Sequence, residues 1–250
     1  MHRFFIDELP KDKNISIKGK DAKHIKDVLR MKIGDSVELV CEPKKFICEI
    51  EKLNENSVDL KIIETTNISN EPKLKINLFQ AIPKSTKMEL IIQKCTEVGV
   101  VSFTPVITSR TIVKINDIKK EIKKLTRWQN IAYEAAKQSK RDIVPKVNTI
   151  IDFNEALNQF KNNITIVPYE NENIEDLHSV RENYVNANEI NVFIGPEGGF
   201  ADEEIEKLKK IDAITVSLGA RILRTETAGI VISTILLYES NDLGVIKWKE

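Results

Sequence analysis

Apolar and polar residues alternate in short runs through the first quarter of the chain. Ser36–Cys41, Phe46–Lys52 and Ser57–Ile63 each carry the period of a strand with one buried face. Glu42-Pro43-Lys44-Lys45 and Asn54-Glu55-Asn56 separate them as turns. This predicts a small β-barrel interrupted by one helix, Lys20 to Met31, that stops before Gly34-Asp35. The polar stretch Thr65–Pro72 reads as a linker, so the expected domains are residues 1–70 and 73–250.

Beyond the linker, strand and helix patterns take turns. Leu74, Ile76, Leu78 and Ile82 alternate along a strand. Thr86 and Glu89 have the spacing of a capping box, followed by a helical stripe of Met88, Ile91, Ile92, Cys95 and Val98 that Gly99 ends. Val100–Ile107 is a second strand, in which Pro105 predicts a bend or a sheet edge. Asp117 opens a long helix with Ile118, Ile122, Leu125, Ala132 and Ala136 on one face. Further strands are expected at Ile164–Pro168, Ile190–Ile194 and Ala213–Leu218, and helices at Asp202–Lys210 and Thr227–Glu239. Such alternation predicts an α/β fold: a mostly parallel sheet with helices on both faces.

Ligands of a parallel sheet bind beyond the carboxyl ends of its strands. Three loops qualify: Pro168-Tyr169-Glu170, Gly195–Phe200 and Leu218–Thr225. Two are glycine-marked, Gly195-Pro-Glu-Gly-Gly199 and Leu218-Gly-Ala-Arg-Ile-Leu-Arg-Thr-Glu-Thr227. The first read alone is a tight turn. Together they predict two adjacent loops and a pocket walled by main chain. Neither dinucleotide nor P-loop glycine spacing occurs.

Charge refines this picture. The net charge is zero, yet residues 71–150 hold 16 basic and 7 acidic side chains, a local +9, and residues 151–250 hold 9 and 18, a local −9. The basic segment suits phosphates; a solvated lysine-rich helix face explains the same counts. Cys41, Cys48 and Cys95 form no C-x-x-C pair and are expected to be reduced thiols. His2, His24 and His178 are scattered, and no metal-ligand spacing appears, so no metal is expected. The N-terminus lacks an apolar leader, and Ala228–Tyr238 is too short to span a bilayer, so a cytoplasmic location is expected.

At the two glycine loops the chain resembles the SPOUT methyltransferases, and within them the ribosomal RNA small-subunit methyltransferase E family. The likeness continues in order through Arg3-Phe4-Phe5, His24–Met31, Lys87–Gly99, Thr104-Pro105, Ser109-Arg110, Arg127-Trp128-Gln129, Gln138–Arg141 and Val144-Pro145. Lys137 departs from the family's usual glutamate, leaving the role of that helix end open.

The resemblance implies a PUA-like N-terminal barrel and a C-terminal SPOUT domain with a deep trefoil knot. It also implies a homodimer acting in the cytoplasm, with Leu223, Ile230, Ile232, Ile235 and Leu236 as interface candidates that serve equally well as core. The implied cofactor is S-adenosyl-L-methionine, and the implied reaction is methylation of uridine N3 in 16S rRNA, free or within the 30S subunit. Cofactor-binding candidates are Pro168, Gly195, Gly198, Gly199, Leu218, Gly219, Ala220, Leu223 and Ala228. Arg224 is the foremost catalytic candidate because its fork of donors suits uracil carbonyls or a phosphate; Arg221 is weaker. Glu197 and Glu226 are candidates either as base or as arginine-orienting groups. RNA contacts are expected from Arg3, Lys23, Arg30, Arg110, Lys114, Arg127, Lys140 and Arg141. Ribose methylation by a related SPOUT enzyme, or a non-catalytic RNA-binding role, are the alternatives.

Overall fold

A computed structural model describes residues 1–67, 69–112, 118–161 and 163–243. The expected helix start at Asp117 and the phosphate candidate Lys114 lie outside them. Two compact units emerge: Met1–Glu71 with Lys137–Ile143, and Pro72–Ala136 with Val144–Glu250. The linear division had assigned 137–143 to the C-terminal domain; their contacts group them with the N-terminal unit instead.

In the N-terminal unit, β1 (His2–Phe5), β2 (Asn14–Lys18), β3 (Ser36–Cys41), β4 (Lys44–Leu53) and β5 (Ser57–Thr66) form a sheet in the order β1-β3-β4-β5-β2. Only β1–β3 is parallel. Two register shifts between β4 and β5 curl the sheet around Phe4, Val37, Leu39, Cys48, Ile50, Val58 and Leu60. β1 and β2 were not foreseen: four residues are too few to show a period, and Asn14–Lys18 is largely polar. The expected helix Lys20–Met31 is instead an α-turn, α1 (Gly19–Lys23), running into a π-helical turn at His24–Val28. There Ile25 is buried and Val28 is exposed.

The C-terminal unit holds β6 (Lys75–Ala81), β7 (Ser102–Ile107), β8 (Lys146–Val147), β9 (Ile151–Asp152), β10 (Thr165–Pro168), β11 (Glu189–Ile194) and β12 (Ile214–Val216). The order is β12-β10-β11-β6-β7-β8, with β9 also on β7, and every pair is parallel. The central strands β6 and β11 are buried along most of their length because both faces are covered. Pro105 does not mark an edge. β7 has neighbours on both sides, but β8 pairs only with Ser102 and Phe103 and β9 only with Val106 and Ile107. Pro105 falls in the gap, where no donor is required.

Helices are α2 (Lys87–Val98), α3 (Ile118–Gln138), α4 (Phe153–Phe160), α5 (Arg181–Tyr184), α6 (Asp202–Lys209) and α7 (Thr225–Glu239). The capping box predicted at Thr86 does not form: its side chain makes no cap, and Glu89 pairs with Arg127. A real box closes α4, where Asp152 and Glu155 exchange hydrogen bonds of 2.9 Å. Ile118 and Ile122, expected on the buried face of α3, are exposed; Trp128, Ala132 and Ala136 carry its packing. Ile232 and Leu236 are wholly buried core of α7, which withdraws them as interface residues, whereas Leu223, Ile230 and Ile235 are part-buried.

Candidate active site

The sheet order places the loops differently from the reading that put the glycine loops side by side. β10 lies between β11 and β12, so the loop after Pro168 separates the two glycine loops. All three still converge on one cleft of about 1220 Å³ within the C-terminal unit. Each proposed cofactor residue, from Pro168 and Gly195 to Leu223 and Ala228, lines it.

The first glycine loop folds back on itself. The Gly199 N–H donates to the Pro196 carbonyl at 2.9 Å, and the ring of Phe200 returns to stack edge-on against Phe193, centroids 4.8 Å apart. A Cβ at Gly195 would stand 3.1 Å from the Phe200 ring. Gly199 has φ +66°, and a Cβ there would sit 2.0 Å from Glu170 Oε1. Its smallness therefore admits the neighbouring loop's carboxylate. Gly198 is freer, its Cβ position 3.6 Å from Arg110, whose Nη1 donates to the Gly198 carbonyl at 2.8 Å. Gly219 takes φ +101° in the second loop with nothing within 4 Å of its Cβ position, facing open space.

The charged groups form a chain across the mouth. Lys87, from the first turn of α2, donates to Glu197 Oε1 at 3.0 Å and lies 3.4 Å from Glu226 Oε2. Glu197 Oε1 also accepts from the Lys84 N–H at 3.0 Å. Burial on its own would raise the Glu197 carboxyl. The Lys87 hydrogen bond, backbone donors and the Lys87 charge outweigh it and hold Glu197 below the ordinary value. Lys87 is correspondingly raised, chiefly by its hydrogen bond to Glu197. Glu226 Oε2 is buried, and Lys87 Nζ, 3.4 Å away, is its charged neighbour.

Arg224 precedes α7. Its Nη1 stands 4.0 Å from Glu226 Oε1, the limit of an ion pair, and its side chain is 82% exposed. Its guanidinium makes no hydrogen bond among the described residues. Tyr169, Glu170 and Thr225 of the candidate loops also line the cleft, as do Lys87 and His178, which were not foreseen as site residues. Lys87 opens a helix and a stretch of family likeness, and neither shows that it reaches both loops.

Two expected RNA contacts are withdrawn. Arg3 is buried, donating to Glu38, to Asp142 Oδ1 at 2.9 Å and to the Arg141 carbonyl. Arg141 is buried on Glu71, and Lys45 completes the network 3.0 Å from Asp142. Guanidinium groups so enclosed cannot reach a phosphate without abandoning carboxylates. Lys137 lies 3.2 Å from Asp21 Oδ1 and 4.4 Å above the Phe4 ring, a packing role within the N-terminal unit. Lys140 donates to the Met1 carbonyl. Lys23 and Arg30 are exposed, Arg127 pairs with Glu89, and Arg110 holds Gly198. All three cysteines are free thiols; Cys48 and Cys95 are buried, and burial pushes the Cys48 thiol up to about 11. Among the described residues no acidic, histidine or cysteine group has the geometry to hold a metal, and no helix is long and apolar enough to cross a membrane.

Comparison with known proteins agrees with this arrangement. Residues 70–237 match the RNA methyltransferase domain family, and residues 17–63 match the RNA methyltransferase PUA domain. Ribosomal RNA small subunit methyltransferase E of Bacillus subtilis is 34% identical, covering 96% of this chain and 97% of its own length. The enzyme of that name from Neisseria gonorrhoeae, solved bound to S-adenosyl methionine, is 30% identical with a TM-score of 0.86, covering 95% of this chain and 97% of that one. A putative methyltransferase of Legionella pneumophila, solved with its bound cofactor SAM, is 32% identical with a TM-score of 0.85, covering 94% and 96%. Full-length similarity of sequence and fold, with both glycine loops on one cleft, makes this chain a member of the ribosomal RNA small subunit methyltransferase E family.

Proposed function

We propose that the chain methylates N3 of a uridine in 16S rRNA, using S-adenosyl-L-methionine bound in the loop-walled cleft. The observation that carries this reading is the convergence of three strand-end loops on one cleft lined by Arg224, an exposed arginine held only by a 4.0 Å ion pair to Glu226, in a member of this family.

The residues present suit the cofactor. Pro168, Leu218, Leu223 and Ala228 offer apolar walls for a purine, and the main chain of the glycine loops offers its donors and acceptors. Gly219 leaves the cradle open where a side chain would fill it. The rim is acidic, with Glu170, Glu172, Glu175 and Asp176, which suits a ligand bearing ammonium and sulfonium charges. When bound, the cofactor supplies an electrophilic methyl group.

The protein's share is to prepare the acceptor nitrogen. Uracil N3 carries a proton between two carbonyls, and charge spreads onto those oxygens as it leaves. In this reading the exposed Arg224 fork donates to them. Glu197, held ionised by Lys87, is a poor proton acceptor and instead anchors the first loop to α2. Glu226, whose contact with Lys87 is longer (3.4 Å against 3.0 Å for Glu197), is the proposed base. Exposed Lys23 and Arg30 of the N-terminal unit are proposed RNA contacts, and so, within the C-terminal unit, are Arg110 and Arg127.

The same reading includes a cytoplasmic homodimer with a knotted C-terminal domain. Support for the dimer is the exposure of Ile174, Ile222 and Tyr238, large apolar side chains of the C-terminal unit. The function is tested by transfer of labelled methyl from S-adenosylmethionine to 30S subunits and naked 16S rRNA lacking the modification. N3-methyluridine is the expected product. A ribose-methylated nucleoside would overturn the base assignment, and cofactor binding without transfer to either RNA would overturn the substrate.

A further inference from the structure

Beneath the cleft a buried amide links three elements that are distant in sequence. Gln80, wholly buried at the end of β6, donates from Nε2 to the Ala81 carbonyl at 3.0 Å and to Thr225 Oγ1 at 2.9 Å. Thr225, the first residue of α7, donates from Oγ1 to the Gly195 carbonyl at 2.6 Å. The direction of this relay is fixed by chemistry. Both Gln80 protons are committed to acceptors, so the threonine hydroxyl receives one hydrogen bond and spends its own proton on Gly195. Reversing the amide would set Gln80 Oε1 against the Ala81 carbonyl, two acceptors facing each other.

Gln80 Oε1 has no hydrogen-bond partner among the described residues and lies 3.6 Å from the position a Cβ on Gly229 would take. A buried acceptor left unpaired is unfavourable, and a methionine would fill the same space without that cost. The donors are what distinguishes glutamine here. Their end point is also distinctive. Gly195 precedes Pro196, so the peptide joining them lacks an N–H, and its carbonyl is its single hydrogen-bonding group.

We propose that Gln80 is a positioning residue for the cleft: through the Thr225 hydroxyl it fixes the Gly195 carbonyl and thereby the spacing of the two glycine loops. The proposal rests on the cofactor reading above. Lys87 ties the same loops at the mouth, through Glu197 and Glu226. Gln80 ties them at the floor.

The test is S-adenosylmethionine affinity by calorimetry, alongside steady-state kinetics and thermal melts. Gln80→Glu keeps the shape and reverses the polarity; even protonated, it has one hydrogen for two acceptors. Gln80→Glu and Thr225→Val are expected to weaken binding at least tenfold and to raise the cofactor KM more than they lower kcat. Thr225→Ser, which keeps the hydroxyl, is expected to recover most of the affinity that Thr225→Val loses. Wild-type affinity in folded Gln80→Glu, or equal affinity in Thr225→Val and Thr225→Ser, would overturn the relay. Should Gln80→Glu not fold, the threonine pair decides alone. No binding by the unaltered protein would instead overturn the cofactor reading, and the relay's role with it.

Discussion

Two clusters of basic and acidic side chains among the described residues are built for opposite purposes. In the N-terminal unit, Arg3, Lys45, Glu38 and Asp142 form a buried network, with Arg141 and Glu71 beside it. The Arg3 side chain is 2% exposed. In the cleft, Lys87 links Glu197 to Glu226, but Arg224 reaches only the edge of an ion pair and projects into solvent. The first cluster is saturated and binds segments of one unit together. The second leaves the Arg224 fork exposed, with one ion pair at the 4.0 Å limit. Residue type alone does not separate an arginine that holds a fold from one available to a substrate; the state of its donors does.

The largest expected effect is on the closed network. Arg3→Ala leaves Glu38 and Asp142 short of a partner in a dry setting, which costs about 3–5 kcal/mol of stability. Urea melts should show that loss while cofactor affinity measured on the folded fraction stays unchanged. A neutral effect on stability would mean that the network is as dispensable as a surface pair.

Gly199→Val should come next. A β-branched residue at φ +66° is strained by about 1–3 kcal/mol, and its side chain displaces Glu170. We expect at least a tenfold loss of S-adenosylmethionine affinity by calorimetry. Unchanged affinity would remove this loop from the cofactor site.

The open cluster predicts a pH signature. Glu197 is held below its ordinary carboxylate value, so the order it lends the loop is present above the unfolded-state value of about 4.3 and is lost as pH falls through the lower, folded value. Lys87→Met removes the opposing hydrogen bond and charge. Burial then acts unopposed by lysine, and the titration, followed by carboxyl carbon NMR, should move upward. A titration that stays in place would show that backbone donors alone set it.

The smallest effects belong to exposed cations. Lys23→Ala and Arg30→Ala should each reduce the slope of log RNA affinity against log salt by about 0.7–0.9. Arg141→Met, changing a buried group, should leave the slope of the folded protein alone. Equal slopes in all three would place the RNA elsewhere.

Much of this contrast lay in the sequence, and its gaps have physical reasons. The strands β6 and β11 and both glycine loops stand out because short runs of apolar positions mark the strands and strand-end loops need special backbone angles. The cofactor candidates line the cleft because main-chain walls follow from glycine placement along the chain. The order of the loops was not legible, since hydrogen-bonding partners of a parallel sheet are far apart in sequence. The roles of Lys87, Gln80 and Thr225 were missed for the same reason: each acts across elements that are distant in sequence. Arg3 and Arg141 were misread because burial of an arginine depends on distant carboxylates, here Glu38, Asp142 and Glu71.

The central claim is that the open cluster exists to present Arg224 to the substrate. The most direct test is Arg224→Ala, measured for S-adenosylmethionine affinity and for methyl transfer to 30S subunits at saturating cofactor. The account predicts affinity within about twofold of the unaltered protein and transfer reduced by about 10²–10³, the loss typical of one stabilising donor. Near-normal transfer would contradict it.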